Sequence, residues 1–258
     1  MHSLNIPEEV IMEPKIVNAN PRWPVPALRT PLPYGYLYLG ATVAPPPQPG
    51  TPLPRRSARR TALLGRLKSL ATELERLEPV RQVTVFRAVM VPPVQDDTDR
   101  PVHPARFDVA LLIETVTPET TKDVQASEPY RRLVYAVDEA ASSRHVMAAR
   151  CGRLIGDVDR TRPGLFLFNH FTTERPQVAL ELWEHLAGWY LAETGLDNST
   201  LLEPIGDADY VFVNHARWDV SLPRLAMEQF VKPSFRSYVL ANLRANRTVA
   251  MPVLYRLA

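Results

Sequence analysis

Cysteine is almost missing from this chain: Cys151 is the only one in 258 residues, so no internal disulfide can form, and a lone thiol fits a reducing compartment. Charge of one sign is missing as well. Lys and Arg number 30 against 28 Asp and Glu, a net charge of +2, which leaves no global field to draw nucleic acid or an anionic membrane. The first residues, MHSLNIPEEVIMEPKIVNANP, lack a basic start followed by an apolar core. No later run approaches the roughly 18 apolar residues of a spanning helix. The expectation is a cytoplasmic protein with neither a membrane nor a nucleic-acid partner. Phosphate loops and nucleophile motifs are absent too. His103, His145 and His185 are scattered without the spacing of zinc ligands, so no metal is expected.

Proline, by contrast, is abundant, with 26 residues. Residues 1–33 hold Pro7, Pro14, Pro21, Pro24, Pro26, Pro31 and Pro33 without a sustained hydrophobic period, which reads as an extended arm that either lies on its own domain or wraps a partner. After the arm, YGYLYLGATV (34–43) alternates like a strand. APPPQPGTPLP must be a loop, because prolines supply no ladder donors. Ser57 is placed to cap a helix in which Leu63, Leu64, Leu67, Leu70, Leu74 and Leu77 recur at helical spacing until Pro79. Strands are expected at 81–91 and 107–116, a helix over 119–141, and a strand at 145–158.

The same order returns in the second half: strand 165–171 (LFLFNHF), helix 175–194, strands 199–205 and 210–218, then a helix broken at Pro233 into 223–231 and 234–245, and a last strand. Gly195 is placed as the left-handed residue that ends the first of these helices. FDVALLIE matches YVFVNHAR at an offset of 103, and EPYRRLV matches KPSFRSYV at about 104. The expected fold is therefore α+β: an extended arm (1–33), then tandem ferredoxin-like βαββαβ units at 34–160 and 161–258.

The dipeptide Asn-His occurs in two strands that this order places side by side, as Asn169-His170 and Asn214-His215. Alternation puts the two asparagines on one face of the sheet and the two histidines on the other. Two imidazoles in an apolar cavity could move protons to and from a phenolic or enolic substrate, and two carboxamides could fix its oxygens. The bland alternative is a set of buried polar groups that satisfy one another. Other features read as structure. Cys151 is a small buried hydrophobe, the basic run RRSARRTALLGRLK is a solvated helix start, and Trp183, Trp189 and Tyr190 are packing against the sheet.

From LFLFNHF onward, over about 95 residues, the chain resembles the antibiotic biosynthesis monooxygenase family of the dimeric α+β barrel superfamily. The stretches that carry the likeness are LWEHLAGWYLAETGLDNSTLLEPI, YVFVNHARWD and FVKPSFRSYV. The resemblance implies two units paired across their sheets, with helices outside and a cavity between, either within one duplicated chain or in a homo-oligomer. It also implies a cofactor-independent oxygenase acting on a hydrophobic aromatic or polyketide-like small molecule. Under that reading His170 and His215 are catalytic, and Asn169, Asn214, Arg217 and Trp218 bind substrate. Haem-degrading relatives carry a histidine ligand in the helix after the third strand. KPSFRSYV offers Ser234 and Phe235 there instead, so no cofactor is expected. A polyketide-cyclase-like enzyme and a non-catalytic assembly module remain the alternatives.

Overall fold

Tyr36 and Tyr38 alternate with Leu37 and Leu39 along the first strand, and this two-residue period decides the architecture: aromatic side chains turn one way and aliphatic ones the other. The computed structural model describes residues 13–47, 51–92 and 103–258. Their order is β1 (Gly35–Thr42), α1 (Ala58–Leu74), β2 (Val80–Met90), β3 (Val109–Thr115), α2 (Thr121–Ala126), α3 (Glu128–Ala140) and β4 (Ser143–Gly156). The second half follows with β5 (Leu165–Thr172), α4 (Pro176–Thr194), β6 (Ser199–Pro204), β7 (Phe212–Trp218), α5 (Leu222–Ala226), two π-helical stretches (Met227–Val231 and Phe235–Leu240), α6 (Ala241–Ala245) and β8 (Val249–Leu257).

All neighbouring strands pair antiparallel, and the sheet closes on itself in the order β1-β3-β2-β8-β5-β7-β6-β4. Its two seams are β2 with β8, where Arg87 faces Arg256, and β4 with β6, where Ala149 faces Pro204. An eight-stranded barrel is just wide enough for side chains to fill. Here Tyr36, Tyr38, Phe86, Phe107, Phe166, Phe168, Tyr210 and Tyr255 fill it. Aliphatic side chains on the outer face meet α1 and α3 in the first half and α4 with the 222–245 segment in the second.

Ser57 caps α1 by accepting from the Arg60 amide, and Gly195 ends α4 at φ +66°. The single helix expected over 119–141 is two helices. Ser127 interrupts it by accepting from the Tyr130 amide, and Pro129 restarts the chain as a first-turn residue that needs no donor. The basic run is engaged at the helix start: Arg60 pairs with the fully buried carboxylate of Asp108 at 3.3 Å, and Arg66 pairs with Glu139 at 2.6 Å.

From residue 13 on, the arm lies on its own chain. Asn242 and Asn246 grip its backbone, accepting from the Val17 and Lys15 amides at 2.8 Å each and donating to the same residues' carbonyls at 2.9 Å each. Trp23 donates to Glu193 and packs on Tyr238, with ring centres 4.7 Å apart. The first 12 residues of the arm lie outside the described residues.

Candidate functional site

Among the described residues, aromatic side chains fill the barrel interior, where a cavity between facing sheets was expected. A cavity of about 80 Å³, open to the centres of water-sized spheres, lies instead between the outer face of β5–β8 and the helices that cover it. Asn169, Asn214 and Trp218 come to it from the strands. Trp183 and Tyr190 reach it from α4, and Gln229, Phe235 and Val239 from the 222–245 segment. Trp183 and Tyr190 thus line the cavity as well as packing on the sheet, whereas Trp189 is fully buried beside it and donates to Ser234 Oγ at 3.1 Å. A smaller recess shares Asn169, Tyr190, Trp218 and Gln229 and continues toward Met90 and Pro92.

The polar atoms of the cavity are few and specific. Asn169 and Asn214 face each other directly across the β5–β7 ladder. Asn214 Oδ1 accepts from Ser199 Oγ at 2.5 Å, whereas the buried Oδ1 of Asn169 has no partner among the described residues. Gln229 Nε2 donates to the Tyr190 hydroxyl at 3.1 Å, and burial pushes that phenol above its ordinary pKa. Trp218 Nε1 donates to Thr194 Oγ1 at 3.0 Å, which fixes the indole as a wall. No Asp, Glu, His, Lys or Arg is among the described residues that line the cavity.

Of the six residues expected to form one site, the sheet separates two sets. His170, His215 and Arg217 point into the barrel. His170 Nδ1 lies 3.1 Å from the Met251 carbonyl, which can only accept, so the proton sits on Nδ1 and Nε2 accepts from the Tyr38 hydroxyl at 2.8 Å. His215 Nδ1 likewise donates to the Leu167 carbonyl at 3.0 Å; its ring stacks on Phe168 at 4.2 Å and its Nε2 has no partner. Burial pulls both imidazoles down to about 3, so they are neutral near pH 7. Arg217 donates to the Pro163 carbonyl and pairs with Asp219 while lying over the Phe166 ring.

Alternation along the strands was enough to group Asn with Asn and His with His. Which group meets the helices is decided by the 222–245 segment, whose contribution of Gln229 to the cavity has no sequence signal beyond its place after Pro223.

Haem does not fit these residues. Phe235 and Ser234 occupy the helix position where the resemblance calls for a histidine, Ser234 is taken by Trp189, and the lining offers no imidazole or thiol. Among the described residues, no group of three or more His, Cys, Asp or Glu could hold a metal ion. Nor is any helix among them long and apolar enough to cross a membrane.

No family model matches the chain, and no curated protein matches it. Among solved structures, an anthrone oxidase-like protein is similar over 87% of this chain and 91% of its own, with a TM-score of 0.59 at 15% identity. A protein provisionally described as a monooxygenase from Fusobacterium nucleatum is similar over 89% and 94%, with a TM-score of 0.49 at 8% identity. An encapsulated DyP-type peroxidase from Mycobacterium smegmatis gives 92% and 96%, with a TM-score of 0.47 at 11% identity. At such identities the likeness is one of fold alone: an α+β chain whose eight strands close one antiparallel barrel.

Proposed function

We propose that the cavity binds a planar aromatic compound through a hydroxyl or enol group, and that the protein is a cofactor-independent oxygenase of the antibiotic-monooxygenase type. The observation that carries this reading is the unpartnered carboxamide oxygen of Asn169 in an otherwise apolar, aromatic-lined cavity. A buried acceptor left unpaired costs about 1–3 kcal/mol, and a ligand O–H recovers it. The Trp183, Tyr190 and Trp218 rings supply flat apolar walls.

With no ionisable carboxylate or imidazole in the lining, the acidity has to come from the substrate. Asn169 would hold its enol oxygen, and the dry walls would keep the electron-rich ring in place for dioxygen. Anthrone is a suitable first probe because its reaction needs no further reductant; its three fused rings are larger than the 80 Å³ cavity, so binding requires the helical cover from Gln229 to Leu243 to move outward. Its ring CH2 becomes a ketone, one oxygen atom of O2 enters the product, and the other leaves in water with the two hydrogens removed. His170 and His215 act in this scheme as scaffold for the strands that present Asn169 and Asn214. The two βαββαβ halves are read as a duplicated pair, with the same strand order in each.

The test is oxygen uptake and quinone absorbance with anthrone in air, for the native chain and for Asn169→Leu. Turnover that falls roughly tenfold or more in kcat/KM, with an unchanged melting curve, supports the reading. The lack of a carboxylate, imidazole, Lys or Arg among the described lining residues favours one rival, a binding module. Saturable binding of anthrone with no oxygen uptake would make the rival right, and absence of binding would remove both.

A further inference from the structure

We propose that one mouth of the barrel is a second ligand site, in which the His145–Asp209 pair takes a proton from a one-ring aromatic molecule bearing an acidic O–H, such as a phenol. The site lies apart from the sheet–helix cavity and shares none of its lining residues. Its cavity measures about 210 Å³ by the same measure, more than twice the volume of the first. An apolar cavity of about 150 Å³ is known to admit benzene, so a single ring fits.

Three observations point to an acid–base role rather than to packing. His145 is almost fully buried, with a side chain 5% exposed, yet its Nδ1 lies 2.8 Å from the carboxylate of Asp209, which is half exposed at the rim. A carboxylate can only accept, so Nδ1 carries the proton and Nε2 presents a lone pair. That Nε2 has no partner among the described residues and is itself buried, so a ligand ring has to pass between Phe107 and Tyr210 to reach it. A histidine oriented by a carboxylate on one nitrogen and free on the other has the arrangement that general bases use.

The surroundings select the ligand. Phe107 lies parallel to the imidazole, with ring centres 6.1 Å apart, and Tyr210 meets it edge-on at 4.7 Å, so a flat ring finds aromatic walls. Arg106 lines the same cavity, and its guanidinium donates to a neutral carbonyl, that of Pro46. In the proposed step the ligand O–H bond breaks and its proton bonds to Nε2. Burial holds His145 below its ordinary pKa and Asp209 works against that shift: its carboxylate holds the resulting imidazolium, and the aryloxide keeps the electron pair beside the Arg106 charge. No electron is transferred and no co-reactant is needed.

The experiment uses 4-nitrophenol, whose phenolate absorbs in the visible, with the full chain at a pH below the probe's own pKa. The expected result is a saturable 1:1 rise in phenolate absorbance as protein is added. His145→Gln should weaken it roughly tenfold or more, the factor that corresponds to one hydrogen bond involving a charged group. Asp209→Asn, at a half-exposed position, tests the same pair if the buried substitution fails to fold, and should also lower the bound phenolate. Asn169→Leu should leave the signal unchanged, which separates this site from the sheet–helix cavity. No saturable rise, a rise that survives both His145→Gln and Asp209→Asn, or a rise lost in Asn169→Leu alone would overturn the proposal.

Discussion

Asn169 and Asn214 are the same residue type at facing positions of one ladder, and their environments give them different work. Ser199 occupies Asn214 at 2.5 Å, so Asn214→Ala should cost about 1–2 kcal/mol of stability, read as a lower urea midpoint, because it leaves the buried Ser199 hydroxyl with one partner fewer. Asn169 has no such bond at Oδ1. Asn169→Leu should leave the midpoint within about 0.5 kcal/mol or raise it, since an unpaired buried acceptor is removed. A large loss of stability in Asn169→Leu would contradict a carboxamide kept for a ligand.

The buried histidines make a second residue-scale prediction. Their folded-state values are depressed to about 3, against an ordinary 6.5, so between those limits the unfolded chain binds more protons than the folded one. The stability due to the neutral imidazoles is complete above about pH 6.5 and is lost as the pH falls toward 3. Each histidine then removes about 1.4 kcal/mol per pH unit across that window. Urea unfolding followed from pH 7 to pH 4 should show an uptake of about two protons near the middle of the range. An uptake well below one proton would mean that the barrel interior is wetter than its packing indicates.

At the scale of elements, α4 is held from both sides, by the sheet and by the arm. A Cβ on Gly188 would meet the Pro24 carbonyl oxygen at 2.2 Å, so only glycine lets the arm pass this close to the helix. Gly188→Ala should lift residues near Trp23 from α4, measured as faster proteolysis between residues 18 and 28 and a red shift of tryptophan emission as the Trp23 ring leaves Tyr238 for solvent. Unchanged proteolysis would show that the Asn242 and Asn246 clamps hold the arm without this contact. The element boundaries themselves were largely legible. Ser57 begins α1 and Gly195 ends α4 where the sequence reading placed them, because caps act within a few residues, whereas α1 ends at Leu74, short of Pro79. The break at Ser127 was missed because Ser127 and Pro129 form a cap and first turn inside a run read as one helix. The π-helical turns around Pro233 were missed because widening a turn is decided by what the helix packs on.

At the scale of the whole molecule, eight strands from one chain close the barrel and leave no strand edge unpaired in the ring. The sheet therefore does not require a second copy. Its unfolding midpoint should be independent of protein concentration over a hundredfold dilution, by urea titration. A midpoint that rises with concentration would show that assembly contributes to the stability of the fold.

Local rules sufficed for the order βαββαβ in each half and for the pairing of Asn with Asn and His with His, since a strand's two-residue period and a helix's caps are set by neighbours in sequence. Closure of the barrel, and with it the choice of which face is filled and which borders a cavity, depends on residues far apart in the chain. Tyr38 meets His170, separated by 132 positions, and His145 meets Asp209, separated by 64. No periodicity encodes such meetings. Packing decided them: the aromatic side chains fill the barrel interior and bury the histidines there, while the asparagines come to a cavity between sheet and helices.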